Sequence, residues 1–200
     1  MTRLRRSRAA QLPAWGQWAL GLALLGLAEG VLRLVYDPRA HVFGQRETEV
    51  TGWLALAALL LTLFARRLGL APYRRALGLA GFFYTVAHLY FSYDHILDDD
   101  WQNLLFLSRG QQAGWALGLV ALLGLLPLAL TSTDSAVRRL GPRWKPLHHL
   151  GPWMTLLATL HTVWIGVHFG LDPLAWTSVA LLLLTALALL ARRRPTRSPA

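Results

Sequence analysis

The chain has 200 residues, 54% of them hydrophobic and only 15% charged, where soluble domains carry about a quarter, so the composition points to a surface placed in lipid rather than in water. With no cysteine, disulfides, cysteine-held iron–sulfur clusters and thiolate zinc sites are excluded. The net charge of +10 is not the footprint of a nucleic-acid binder, because the arginines stand in short groups between long apolar runs, as in cytoplasmic membrane loops.

A spanning helix needs about 20 mainly apolar residues. The first such run, at 15–36, follows the basic start Arg3, Arg5, Arg6 and Arg8. It is too long for a signal peptide core and is expected to stay as the first membrane helix. Glu29 and Arg33 inside it are four apart and are expected to pair. Further runs lie at 50–65, 76–93, 112–131, 147–168 and 173–191, the second short enough to need extension at one end. No stretch alternates in the manner of a strand.

Basic loops alternate with poorly basic ones. Arg66, Arg67, Arg74 and Arg75 follow the second run, Arg138, Arg139, Arg143 and Lys145 the fourth, and Arg192, Arg193, Arg194 and Arg197 the sixth. Asp94, Asp98, Asp99 and Asp100 fall in a loop between them. The positive-inside rule then predicts an all-α, integral membrane six-helix bundle with both termini cytoplasmic and the acidic loop outside. Residues 1–14 form a basic cytoplasmic start, 15–191 the membrane domain and 192–200 a basic cytoplasmic tail. The length leaves no room for a soluble nucleotide-binding domain, so an electron donor or a substrate-processing module is expected to be separate.

Two histidines fall deep in predicted spans. His88 lies about 18 Å up the third and His161 about 22 Å up the fifth, two helices that run in the same direction. Ionisable side chains in hydrocarbon face the bundle interior or mark a site, and imidazole is a common axial ligand of haem iron. At matched depth on parallel helices, His88 and His161 are suited to bridging one haem in the outer half of the bilayer. The bland alternative, a histidine that only hydrogen-bonds a neighbouring helix, holds for either residue taken alone.

His148 lies near the cytoplasmic face, 13 residues before His161, and cannot serve the same iron. On an unbroken helix the two would also differ in direction by about 140°. Gly151 and Pro152 lie between them and are expected to bend the axis. The position 13 residues before His88 is Arg75, a poor iron ligand but a good partner for a propionate or phosphate. A second, cytoplasmic-side cofactor held by His148, Arg74 and Arg75 is therefore one reading, and an interfacial role for His148 is the other. His149 is expected to have no metal role, and His41, His95 and His168 to be solvated histidines at or beyond the outer boundary.

Arg74-Arg75-Ala-Leu-Gly-Leu running into Tyr-Thr-Val-Ala-His88-Leu resembles the third helix of the MsrQ (YedZ) family. Leu130-Thr-Ser-Thr, then Arg139-Leu-Gly-Pro-Arg-Trp144-Lys-Pro-Leu-His148 and His161, resembles it as well, and Thr51-Gly52 fits. The resemblance covers about residues 37–168. The chain departs from the family pattern at Arg109-Gly-Gln and at Gly151-Pro152. MsrQ is a haem-binding membrane subunit in the ferric-reductase-like transmembrane superfamily. The resemblance implies haem roles for His88, His148 and His161, and haem or flavin contacts for Arg74 and Arg75. The cofactors implied are one or two b haems, and FMN. It implies a multi-pass protein of the bacterial inner membrane that acts as an electron-transfer subunit, without catalytic residues of its own. Electrons would come from the quinone pool or a cytoplasmic flavin reductase. They would pass to MsrP, a periplasmic molybdopterin enzyme that reduces methionine sulfoxide in oxidised proteins. A transmembrane ferric or metal reductase is the alternative, and a non-redox helical membrane protein is a third class.

Overall fold

The computed structural model describes residues 13–39, 42–168 and 172–193, all helix and connecting turns with no strand among them. Its long helices are α1 (Ala14–Val35), α2 (Phe43–Phe64), α3 (Arg74–Ile96) and α4 (Arg109–Leu130), with α7 (Gly151–His168) and α8 (Asp172–Arg193) closing the chain. Two short helices, α5 (Asp134–Leu140) and α6 (Trp144–His148), lie between α4 and α7. By length and composition α1, α2 and α4 are apolar enough to cross a membrane. The expectations for residues 1–12, His41 and the end of the tail fall outside the described residues, as does the side chain of His168.

The helices pack in two groups. One has α3 lying along α2 and α1, and the other has α7 lying along α4 and α8; they meet where α3 touches α4 and α2 touches α7. What is buried between them mixes small residues with leucines. Ala55, Ala58 and Ala80 pack with Tyr84 between α1, α2 and α3, while Leu59, Leu125 and Leu128 join α2 to α4 and α7. Other large aliphatic side chains point outward, among them Leu27, Leu34, Leu123 and Leu187. This inversion is physical. Lipid solvates leucine as well as a core does, so close backbone approach through small residues supplies the packing. Buried hydroxyls return to their own helix: Thr51 to the Glu47 carbonyl, Thr159 to that of Thr155 and Thr185 to that of Leu181.

Two boundaries depart from the apolar runs read in the sequence. α2 takes the extension that its short run called for at its start: it begins at Phe43, seven residues before 50, and runs through the polar stretch Gln45–Glu49. That stretch is helical because its groups pair along the helix, Gln45 and Arg46 both reaching Glu49, at 2.8 and 2.5 Å. The predicted fifth helix at 147–168 is broken rather than bent. α6 ends at His148, the chain turns through His149 and Leu150, and α7 starts afresh at Gly151. Pro152 has no N–H to give the His148 carbonyl, and its fixed φ suits the first turn of a new helix. Glu29 and Arg33 do pair, at 2.6 Å.

Candidate functional site

Between α2, α3, α4 and α7 lies a partly open cavity of about 680 Å³, within the range of small-molecule sites. Its walls are graded. Leu56, Leu59, Leu122 and Leu125 line the apolar end, while Gln45, Thr48, Asp94 and His95 line the other. Between these ends stand His88 and His161, with ring centroids 6.2 Å apart and ring planes at 77°. The two residues read from the sequence as a pair are thus brought together.

Each ring is held in the same way. His88 Nδ1 is 2.9 Å from the Thr48 carbonyl of α2, and His161 Nδ1 is 2.8 Å from the Gly114 carbonyl of α4. A carbonyl only accepts, so in both rings Nδ1 carries the proton and Nε2 keeps its lone pair. Four residues beyond each carbonyl comes a glycine against the ring face. A Cβ on Gly52 would lie 3.0 Å from His88 Cε1, and one on Gly118 would lie 2.9 Å from His161 Cε1. Two glycine notches and two carbonyl acceptors therefore fix two imidazoles on opposite walls of one cavity.

A first-row metal binds imidazole nitrogen at about 2 Å, so one ion between two rings needs their centroids about 6 Å apart. The observed 6.2 Å fits that spacing. Among the described residues no group of three or more His, Asp or Glu side chains is placed to hold a bare metal ion. Two histidines in a largely apolar cavity instead suit an iron that arrives with its equatorial ligands, as in a porphyrin. The buried Thr48 hydroxyl has no hydrogen-bond partner and lines the polar end. There it could donate to an acidic group of such a cofactor.

His148 lies elsewhere. It is absent from the cavity wall; its Nε2 is 2.9 Å from the Thr131 hydroxyl, and its ring stacks on Trp144 at 4.0 Å. Burial, then the positive charges of Arg74 and Arg75, hold its pKa down at about 4, so it stays neutral at physiological pH. The expected grouping of His148 with Arg74 and Arg75 is therefore present as proximity. Arg75 itself reaches Asp134 at 2.8 Å.

His95 corrects the expectation of a solvated surface histidine. It is about one-third exposed, lines the cavity, and contacts Glu47 and Asp94. Glu47, in the polar stretch that opens α2, has a side chain only 5% exposed.

A helical bundle with paired histidines on two of its long helices is an architecture that can hold a haem in its core. Residues 51–159 match the family model described as ferric reductase like transmembrane component. The chain is 38% identical over 122 residues to the protein-methionine-sulfoxide reductase heme-binding subunit MsrQ of Agrobacterium fabrum, covering 58% of this chain and 53% of that protein. It is 36% identical over 143 residues to MsrQ of Salmonella arizonae, covering 67% of this chain and 71% of the relative. The magnetosome protein MamZ of Magnetospirillum gryphiswaldense is 35% identical over 123 residues, which are 58% of this chain but only 18% of that protein. The chain belongs to the ferric-reductase-like transmembrane family, in its MsrQ branch. It spans about half the length of the first of these relatives. No solved structure matches it.

Proposed function

We propose that this chain is a haem b membrane subunit that carries electrons to a periplasmic molybdopterin-dependent methionine sulfoxide reductase, MsrP, for the repair of oxidised periplasmic proteins. The observation that carries the proposal is the His88–His161 pair, two imidazoles 6.2 Å apart with each Nδ1 tied to a carbonyl. Haem, when bound, supplies one-electron redox chemistry. His88 and His161 would hold its iron through Nε2, the carbonyls of Thr48 and Gly114 fix the tautomer of each ring, and the leucines at the apolar end would line its pocket. With no cysteine in the chain, attachment is non-covalent.

In this reading all six long helices cross the bacterial inner membrane within a domain at 15–191, flanked by basic cytoplasmic ends at 1–14 and 192–200. The alternation of arginine-rich and arginine-poor loops supports that orientation. Electrons from the quinone pool or a cytoplasmic flavin reductase enter on the cytoplasmic side. His148, Arg74 and Arg75 hold an intermediate acceptor there, a second haem or FMN, because one step across about 30 Å of hydrocarbon is too long. Arginine pairs with the acidic groups of either cofactor.

The test is a reconstituted assay with the purified chain. Reduced flavin or quinol should reduce the haem, and reoxidation should require both the molybdoenzyme and methionine sulfoxide. Reoxidation by a ferric chelate alone, unaffected by the molybdoenzyme, would make the chain a metal reductase instead. In the same assay Arg75→Ala should slow reduction by a flavin donor about tenfold while leaving the spectrum of the haem held by His88 and His161 intact.

A further inference from the structure

The outer ends of α1, α2 and α3 hold a cluster of ionisable groups that the electron path described above does not use. Its centre is Glu47, with a side chain 5% exposed. Oε2 lies 3.3 Å from His95 Nε2, while Oε1 makes no hydrogen bond and has Arg33 Nη2 at 3.6 Å. Arg33 is shared with Glu29 of the same helix. On the other side, His95 Nε2 also lies 3.2 Å from Asp94 Oδ2, and Asp94 is about one-third exposed. One imidazole nitrogen thus stands between a buried carboxylate and one that meets solvent.

The His95 ring is fixed where it is. It stacks on Phe91 at 6.4 Å, and a Cβ on Gly44 would overlap it outright. The same residue lines the cavity that contains His88 and His161. His95 follows His88 by seven residues on α3, about 10 Å along the axis.

The charges do not balance. Glu29, Glu47 and Asp94 face one arginine, Arg33, and one histidine. On α2 itself, Arg46 and Glu49 pair with each other at 2.5 Å and cancel. Asp98 and Asp99, in the loop after α3, add negative charge nearby. A buried carboxylate with an oxygen left unbonded is a costly charge, and a proton is the ligand that relieves it.

We propose that Glu47 and His95 form a proton-binding site that takes up a proton from the outer aqueous phase, by way of Asp94, when the iron between His88 and His161 is reduced. The inference rests on the haem reading. The donor named above delivers one electron, Fe(III) becomes Fe(II), and the cavity gains one negative charge. The proton settles on the Glu47–His95 pair and is released outward on reoxidation, so charge is conserved over the cycle. A unit charge about 10 Å away, at an effective dielectric near 20, shifts a proton equilibrium on the order of tenfold. Linkage requires the same factor to appear in the haem's redox equilibrium. The electron would then be delivered with its charge compensated on the side where it leaves.

The experiment is a spectroelectrochemical titration of the haem-loaded full chain from about pH 5 to 8. The wild-type midpoint should fall as pH rises, by about 59 mV in all for a tenfold linkage. Glu47→Gln should lose most of that dependence at unchanged haem content, Glu47→Asp should keep it, and His95→Asn should behave like Glu47→Gln. A full pH dependence in Glu47→Gln and His95→Asn would overturn the proposal and assign the proton to another group. If Glu47→Gln loses its haem, the Asp and Asn variants decide between the same two outcomes. A wild-type chain that takes up no haem at all would be seen before any titration; it would overturn the haem reading and this one with it.

Discussion

With His161 replaced by alanine, the haem content of the purified chain should fall by more than about tenfold, and His88→Ala should do the same. Even removing the hydrogen-bond partner of a metal-bound histidine costs about 10- to 100-fold in affinity, so loss of the histidine itself costs more. The two changes should be equivalent because the two rings are held equivalently, each by one carbonyl and one glycine. Imidazole added to His161→Ala should enter the space vacated and restore a low-spin spectrum. His148→Ala is the contrasting variant. Its ring packs on Trp144 and Thr131, away from the cavity wall, so the spectrum of the His88–His161 site should survive. Full retention of a low-spin spectrum in both His88→Ala and His161→Ala would remove this pair as ligands.

The helices and the histidine pair were legible for one reason: apolar runs of spanning length are long-range patterns, and a histidine inside one is conspicuous. Glu47 was not legible, because Gln45-Arg46-Glu47-Thr48-Glu49 counts as loop on any hydropathy sum. Local pairing to Glu49, together with contacts from Glu47 to His95 and Arg33, is what lets α2 run through it. The surroundings of His95 depend on that same start of α2, so hydropathy does not show them either. The break at His149 and Leu150 was half legible. Gly151-Pro152 announced a distortion, but only the tertiary setting decides between a kink and a new helix start. The sequence also carries a glycine pattern that marks the wall of the site. Gly44, Thr48 and Gly52 on α2, and Gly110, Gly114 and Gly118 on α4, recur every four residues, which puts each set near one helix face. On α4, Trp164 bonds the Gly110 carbonyl at 2.8 Å and His161 that of Gly114, so the stripe is the wall against which α7 lays its functional side chains.

That wall leads to a substitution whose effect should run opposite to its effect on the helix. Alanine has a better helix propensity than glycine by about 1 kcal/mol, so Gly118→Ala ought to favour α4 locally. Its Cβ, however, would sit 2.9 Å from Cε1 and 3.0 Å from Nδ1 of His161, closer than atoms of a packed interior approach. The ring must turn or withdraw. Either movement weakens the bond from Nδ1 to the Gly114 carbonyl and displaces Nε2. Haem affinity should therefore drop by about 10- to 100-fold while the chain remains folded. Gly52→Ala should act likewise through His88, slightly less severely at 3.0 Å. Gly30→Ala on α1 is the matched control, because its Cβ would meet nothing within 4 Å. It carries the same gain in helix propensity and should leave haem content at the wild-type level. Haem content measured against protein, with helicity followed by circular dichroism, separates the cases. Undiminished haem in Gly118→Ala and Gly52→Ala would mean that the two rings are free to move, and that the carbonyl and glycine contacts do not set the geometry of the site.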